Sequence, residues 1–408
     1  MSASLPTVTV SFAYGGSAVN DPNAIGNFVL NTSTLGPSGT DVLGSFGWTQ
    51  IPQADLRSIS IRQGQADELS PPAPGTATIV LDNATGAYDW INGASLELGV
   101  PVMIQVSWAG VDYGWFRGTV DDLTMDVAFD VSTVTVSCVD ALETLGRAKL
   151  DTIGSQFDND LTGTRVGRIL DEADWPDSLR SIDAGLERMQ ATTFGDFGLA
   201  LLVEATNTEF GVLFVDGDGK VNFFDRLHVY TAARSLAVQA TFSDSGTDVD
   251  MTDLSVNRDR GTVFTQASIT RDGGTEQVYT DATAVTAYGI RTFSGSAGTK
   301  LRGDTDAADL ASWIVGRYKT PKDEIGSIQI DATTQDMWAT LLPLKLYDRI
   351  AVTRDYGPAS MSLELLIQGI EIAAGAAGLV TITFATRNTD VFSPFILNTS
   401  TLNSKQLA

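Results

Sequence analysis

A period of two, written in short runs, constrains this chain more than any other feature. Apolar and polar residues alternate in Arg57-Ser58-Ile59-Ser60-Ile61-Arg62, in Val102-Met103-Ile104-Gln105-Val106-Ser107-Trp108 and across 133–139. The beat returns in Ile328-Gln329-Ile330, Arg349-Ile350-Ala351-Val352 and 379–384. Successive strand side chains point to opposite faces, so such runs ask for sheets with one dry face. The runs are punctuated by Gly and Asx turns such as Asp82-Asn83-Ala84-Thr85-Gly86, and their spacing of ~8–15 residues suits small antiparallel barrels or sandwiches.

The period changes twice. Val166, Ile169 and Leu170, then Phe197, Leu201, Leu202 and Ala205, recur at helical spacing. After them 212–215 and 221–224 flank Asp216-Gly217-Asp218-Gly219-Lys220, a hairpin signal. Farther on, Ala307, Leu310, Ala311, Ile314 and Tyr318 share one helix face, opened by acidic residues and closed by Pro321. The expected fold is therefore mainly β with an α+β module. It has two antiparallel β-barrel-like domains, a small α/β domain between them and a helical insertion in the second barrel. The boundaries are an N-terminal arm over 1–47, a first barrel over 48–147 with a short helical exit stopped at Gly146, the α/β module over 148–232, a second barrel over 233–388 with its insertion near 281–322, and a C-terminal arm over 389–408. In the second barrel, strands are expected across 256–269 with a turn near Asp259-Arg260-Gly261.

One segment occurs twice. Residues 28–35 read Phe-Val-Leu-Asn-Thr-Ser-Thr-Leu, and 395–402 repeat them with Ile in place of Val. Alternate apolar residues followed by a turn-forming run suit a strand added to an exposed sheet edge. Phe28, Leu30, Leu35, Phe395, Leu397 and Leu402 are the candidate anchors of two interaction arms.

Catalytic chemistry finds little material. His228 is the single histidine, and neither a Cys/His metal cluster nor a Ser-His-Asp triad can be built around it. Asp216 and Asp218 imitate part of a calcium loop, but the later Glu is missing and Val221 and Phe223 fit a returning strand, so a hairpin turn is the reading. Cys138, the lone cysteine, sits in an alternating run as a buried strand residue rather than a reactive thiol. Trp90, Trp108 and Trp115 belong to the core or to subunit interfaces; exposed together, they would instead form a sugar-binding platform. No catalytic residue, cofactor or metal ligand is expected.

Charge narrows the partners. With 26 Lys and Arg against 50 Asp and Glu, the net charge is -24, the wrong sign for stable nucleic-acid binding. The stretch 1–16 lacks a basic region followed by an apolar run, and no run approaches ~18 apolar residues, so neither a signal peptide nor a membrane span is expected. Synthesis in a cytoplasm without disulfides follows.

The order of motifs resembles phage tail-hub and related minor tail proteins, of the kind found in actinobacterial phages. The similarity runs through Ile59-Ser60-Ile61-Arg62, 75–83, Gly86-Ala87-Tyr88-Asp89, Gly99-Val100-Pro101-Val102, 116–121 and Val139-Asp140-Ala141-Leu142. It continues through 211–220, Ala287-Tyr288-Gly289-Ile290-Arg291, 307–321 and Ile367-Gln368-Gly369-Ile370. The resemblance implies a non-enzymatic subunit of a virion tail tip. It would form a homotrimeric ring that closes the tail tube, six barrel-like units matching a six-fold tube. Implied partners are the distal tail protein or tail tube, the tape measure protein and other minor tail or receptor-binding proteins. DNA would pass through transiently, and three chains at -24 each would repel phosphate from the lumen. The rival class is a receptor- or carbohydrate-binding minor tail protein.

Overall fold

The computed structural model describes residues 6–14, 26–27, 41–42, 47–65, 69–127, 132–151, 157–244, 246, 248–258, 261–293, 297–357, 359–375, 378–389, 394–395 and 406–407. Among them, a 13-stranded, largely antiparallel sheet dominates. Its strands bury one face as their alternation demands. Ile59 and Ile61, Ala77, Ile79 and Leu81, Val134, Val136 and Cys138, and Val102, Ile104 and Val106 are all nearly inaccessible, as are Ile328 and Ile330, Ile350 and Val352, and Ile382 and Phe384. These side chains belong to one continuous apolar core. Each fully buried aliphatic or aromatic side chain contributes about 1.5–3 kcal/mol.

The sheet contains the same pairing order twice. In the first set, Leu56–Gly64 pairs Thr76–Asp82, which pairs Ser132–Val139, then Val111–Val127, Pro101–Trp108 and Thr7–Phe12. In the second, Asp253–Asn257 pairs Glu324–Ala332, then Val380–Asn388, Ala359–Gly375, Arg349–Tyr356 and Val238–Ser243. Each set is built on a strand of 17 residues that pairs one neighbour with its first half and another with its second. A register shift marks both long strands near the changeover, between Val120 and Asp122 and between Ile367 and Gly369. A bulge of this kind bends a strand and re-aims its pairing. A glycine stands beside each one: a Cβ on Gly118 would meet the Val139 carbonyl oxygen at 2.1 Å, and one on Gly369 the Gln65 carbonyl oxygen at 2.6 Å.

Two smaller bodies complete the fold. The helices Ala141–Arg147, Thr162–Glu172 and Gly198–Glu209 pack with the three-stranded sheet of Arg180–Ile182, Val221–Phe224 and Val212–Val215 around a separate core. The helix Asp304–Tyr318 covers the sheet of Gln277–Thr280, Gln266–Ile269 and Thr292–Phe293 around another. Its start is fixed by the Asp306 carboxylate, which accepts the Gly303 N–H at 3.0 Å.

Four expectations need correction. The arm over 1–47 contains a strand of the main sheet, Thr7–Phe12, whose Val8, Val10 and Phe12 alternate within a run too short and Thr-rich to stand out. The exit helix runs through Gly146 to Arg147, and its Leu142 and Leu145 pack into the middle core rather than the first strand block. The strands on either side of Asp259-Arg260-Gly261 do not pair with each other: Asp253–Asn257 lies in the large sheet and Gln266–Ile269 in the small one. The helical insertion also carries three short strands and draws on Ala267, ahead of its expected start near 281.

Candidate functional site

The two strand sets meet where Leu56–Gly64 pairs the second half of Ala359–Gly375. The same edge of the long strand carries Arg349–Tyr356 along its first half, so it belongs to both sets. At the changeover Gly64 faces Gly369. Gly64 has φ 75°, and a Cβ there would meet the Gln368 carbonyl oxygen at 2.3 Å. Only glycine tolerates both the left-handed backbone and the close approach. Backbone bonds stitch the point: Gln65 N–H donates to Gln368 O at 2.8 Å, and Tyr347 N–H to Ile367 O at 2.6 Å. The Gln63 amide donates to the Trp115 carbonyl, tying the joint to the other long strand.

The hairpin 212–224 docks on this joint. Its turn brings Gly217 so close to Gly114 that a Cβ on Gly217 would lie 2.2 Å from the Gly114 carbonyl oxygen. Gly219 supplies a positive φ of 86°. Asp216 Oδ1 accepts the N–H groups of Asp218 and Lys220, each at 3.0 Å. Burial outweighs those bonds and raises the Asp216 pKa. Asp216 and Asp218 thus shape a turn, and no group of three or more potential metal-ligating side chains occurs among the described residues. A cavity of about 380 Å³ lies under the turn, walled by Tyr113, Trp115, Asp218, Lys345, Ile370 and Phe384 among others.

On the face of the hairpin turned to the large sheet, Phe214 and Phe224 pack against Tyr347 with ring centres 5.4 and 5.6 Å away, while Leu213, Val215, Val221 and Phe223 join the middle core. His228 stacks on Phe224 at 3.5 Å, and its Nδ1 lies 2.8 Å from Asp183 Oδ2. This places His228 in packing between the hairpin and the strand Arg180–Ile182, whose next residue is Asp183. The helical turn Ala233–Leu236 is anchored by Arg234, whose Nε donates to the buried Asp348 at 2.7 Å. Asp348 also accepts the Lys345 N–H at 2.7 Å, and its hydrogen bond to the Arg234 guanidinium, with its charge, raises the Arg234 pKa.

Other sequence candidates separate here. Cys138 is buried, and burial pushes its thiol pKa up, away from reactivity. Trp115 is only 6% exposed, and Trp90 and Trp108 pack half-buried on the same core, so the three do not form an exposed platform. Phe28, Leu30, Leu35, Leu397 and Leu402 lie outside the described residues. Phe395 is described only as backbone, in the short strand Pro394–Phe395. Sequence reasoning missed the Gly64 and Gly369 crossing, although Gly369 lies in a motif that carried the resemblance.

No helix among the described residues is long and apolar enough to cross a membrane. No family model and no curated protein matches the sequence. Solved structures do match. A tail protein from Neisseria meningitidis MC58 superimposes with TM-score 0.56 at 13% identity, over 84% of this chain and 94% of that one. The 43 kDa tail protein of prophage MuSo2 from Shewanella oneidensis does so with TM-score 0.57 at 14% identity, over 93% and 98%. The chain has a tail-protein fold. A chain of the Francisella PdpA-VgrG complex, half-lidded, matches with TM-score 0.50 at 9% identity, over 95% of this chain and 58% of that one. At such identities the fold is what is shared.

Proposed function

We propose that the chain is a non-enzymatic structural subunit of a phage tail tip, a hub-like protein that closes the tail tube. The observation that carries this reading is the six-strand order that occurs twice and is stitched into one sheet at Gly64 and Gly369. Three such chains present six similar strand sets, which suits the junction between a six-fold tube and a three-fold tip. The likeness in fold to tail proteins over most of the chain supports the same reading. The actinobacterial type rests on the sequence resemblance alone. In the ring, distal tail, tape measure and receptor-binding proteins are the neighbours, and DNA slides past a wall that the net charge of -24 makes repulsive.

The repeated segments 28–35 and 395–402 act as arms that dock on neighbouring sheet edges through Phe28, Leu30 and Leu35 and through Phe395, Leu397 and Leu402. Exchanging Phe395 and Leu397 together for Ala is expected to impair tail assembly while the purified chain melts as before. The decisive measurement is native mass spectrometry with averaged electron micrographs of isolated tails. A trimer with six similar outer lobes and an acidic channel is expected. One or six subunits per tail, or a basic channel wall, would overturn the hub reading.

A further inference from the structure

Along its hydrogen bonds, the middle of the large sheet is a four-strand unit laid down twice. The first unit is Asp253–Asn257, Glu324–Ala332, Val380–Asn388 and the second half of Ala359–Gly375. The second is Leu56–Gly64, Thr76–Asp82, Ser132–Val139 and the second half of Val111–Val127. The last strand of one unit pairs the first strand of the next, over seven residue pairs from Gly375 and Ser58 to Gly369 and Gly64. At the two ends of this ribbon the same kinds of strand recur without that neighbour. Among the described residues, Asp253–Asn257 pairs only Glu324–Ala332, and the backbone of 122–127 pairs only Ser132–Val139. Each end therefore offers one half of a joint that the chain has already made with itself. An open strand edge is a template for another strand.

The side chains at both ends carry the mark of the missing neighbour. Register places Met125 and Val127 where Ile372 and Ala374 stand, since Val134 and Ser132 pair the first two as Ile382 and Val380 pair the second two. It places Leu254 where Ile59 stands, opposite Ile328 as Ile59 is opposite Ile79, and Val256 follows on the same face as Ile61 does. At the joint Ile59, Ile61, Ile372 and Ala374 are all buried. Their counterparts are not: Val256 is 48% and Val127 74% exposed, and Leu254 and Met125 pack only partly on the core. Single exposed apolar residues are ordinary, but here both open edges present them at the positions that the joint buries.

We propose that Asp253–Asn257 of one chain adds antiparallel to residues 124–127 of a second copy, with Leu254 against Val127 and Val256 against Met125. The seam repeats between chains the joint made within each. It is head to tail, since the two edges differ, and such contacts close into rings when the rotation per copy permits. It is also shorter than the joint. Asp122 holds the register position of Gly369, where a Cβ would meet the Gln65 carbonyl oxygen at 2.6 Å, so the pairing stops before it. The number of copies rests on the hub reading, which sets it at three; the seam itself needs only a second chain.

The test mixes two full-length chains, Val127→Cys and Leu254→Cys, under mild oxidation; the native Cys138 is buried. Facing positions on paired strands bring Cα atoms within reach of a disulfide. The mixture is expected to give a disulfide-linked dimer at least tenfold faster than either chain alone, and tenfold faster than Val127→Cys mixed with Ile290→Cys, a control at another exposed position. Adding Val256→Asp to the Leu254→Cys chain is expected to slow the linkage tenfold or more. Its melting curve should not move, because Val256 is already exposed in the single chain. Linkage no faster than in the Ile290 control, or unaffected by Val256→Asp in the folded chain, would overturn the seam. A chain carrying both cysteines separates the two readings: a closed covalent trimer is expected on a denaturing gel. Fast linkage that closes at another number of copies would keep the seam and overturn the three-copy hub.

Discussion

The two strand sets share their interior pairing but finish their outer edges in opposite ways. In the first, Thr7–Phe12 runs antiparallel to Pro101–Trp108; in the second, Val238–Ser243 runs parallel to Arg349–Tyr356. The interior strands from Thr76–Asp82 to Ser132–Val139 and from Glu324–Ala332 to Val380–Asn388 follow one another in the chain, and short turns force consecutive neighbours to be antiparallel. The outer strand escapes that constraint because it arrives from elsewhere. In the second set it is delivered by Ala233–Leu236, locked by Arg234 on Asp348, by Ser235 Oγ donating to Tyr347 O at 2.9 Å and by Arg349 Nε donating to Ser235 O at 2.7 Å. Alternation fixes which face an edge strand buries; what delivers the strand fixes its direction.

The largest expected effect asks whether two sets mean two folding units. Phe116 in the first and Phe384 in the second are each 1% exposed and belong to one core. Phe116→Ala and Phe384→Ala should each cost about 3–5 kcal/mol. Because the core and the sheet are continuous, denaturant should still unfold each variant in one transition. Two separated transitions, with each variant shifting only its own, would break the comparison into independent barrels.

The next effect concerns the joint. Gly64→Ala must hold φ near 75° and push a Cβ toward Gln368 O, and is expected to cost roughly 1–3 kcal/mol. Gly375 ends the same long strand with nothing within 4 Å of the place a methyl group would take, so Gly375→Ala should leave stability unchanged or raise it by up to about 1 kcal/mol. Equal effects of the two substitutions in chemical denaturation would show that the crossing is not a tight one.

The sets also end differently. Ser132–Val139 is followed by Asp140, buried, whose carboxylate accepts Gly75 N–H at 2.6 Å and Leu142 N–H at 2.9 Å. Val380–Asn388 is followed by Thr389, whose N–H and hydroxyl both donate to Glu364 O at 3.0 Å. Burial pushes the Asp140 pKa up to about 7, against the two N–H bonds. A folded carboxyl that holds its proton more tightly than the unfolded one loses stability as pH rises between about 4 and about 7. Asp140→Asn removes this titration. The stability of the native chain relative to the variant should therefore fall across that window, by at most about 1.4 kcal/mol per pH unit. A constant gap from pH 4 to 8 would show that Asp140 is ionised throughout.

Strand positions were legible because alternation in runs such as 57–62 or 349–352 follows directly from burial on one face. The helix Asp304–Tyr318 was legible from its apolar stripe and acidic start. The pairing of Leu56–Gly64 with Ala359–Gly375 was not, since two strands about 300 residues apart carry no local sign of each other. Thr7–Phe12 escaped notice for a different reason: threonine and serine satisfy strand and turn alike, and an edge strand needs only one apolar face.

The smallest expected effect lies in the turn Asp216-Gly217-Asp218-Gly219-Lys220, where a hairpin and a calcium loop predict different things. Lys345 Nζ lies 3.8 Å from Asp218 Oδ2, with the two side chains 62% and 51% exposed, so Asp218→Asn should cost no more than about 0.5 kcal/mol. Gly217→Ala should cost more, because its Cβ would collide with the Gly114 carbonyl and lift the hairpin from the strand Val111–Val127. Asp216 spends one carboxylate oxygen on two backbone N–H groups, which a cation would have to displace. Melting curves with added calcium and with a chelator should therefore coincide, for the native chain and for Asp218→Asn alike. A rise in melting temperature with calcium that disappears in Asp218→Asn would make the turn a cation site after all, and would give the first strand set a ligand-dependent contact that the second lacks.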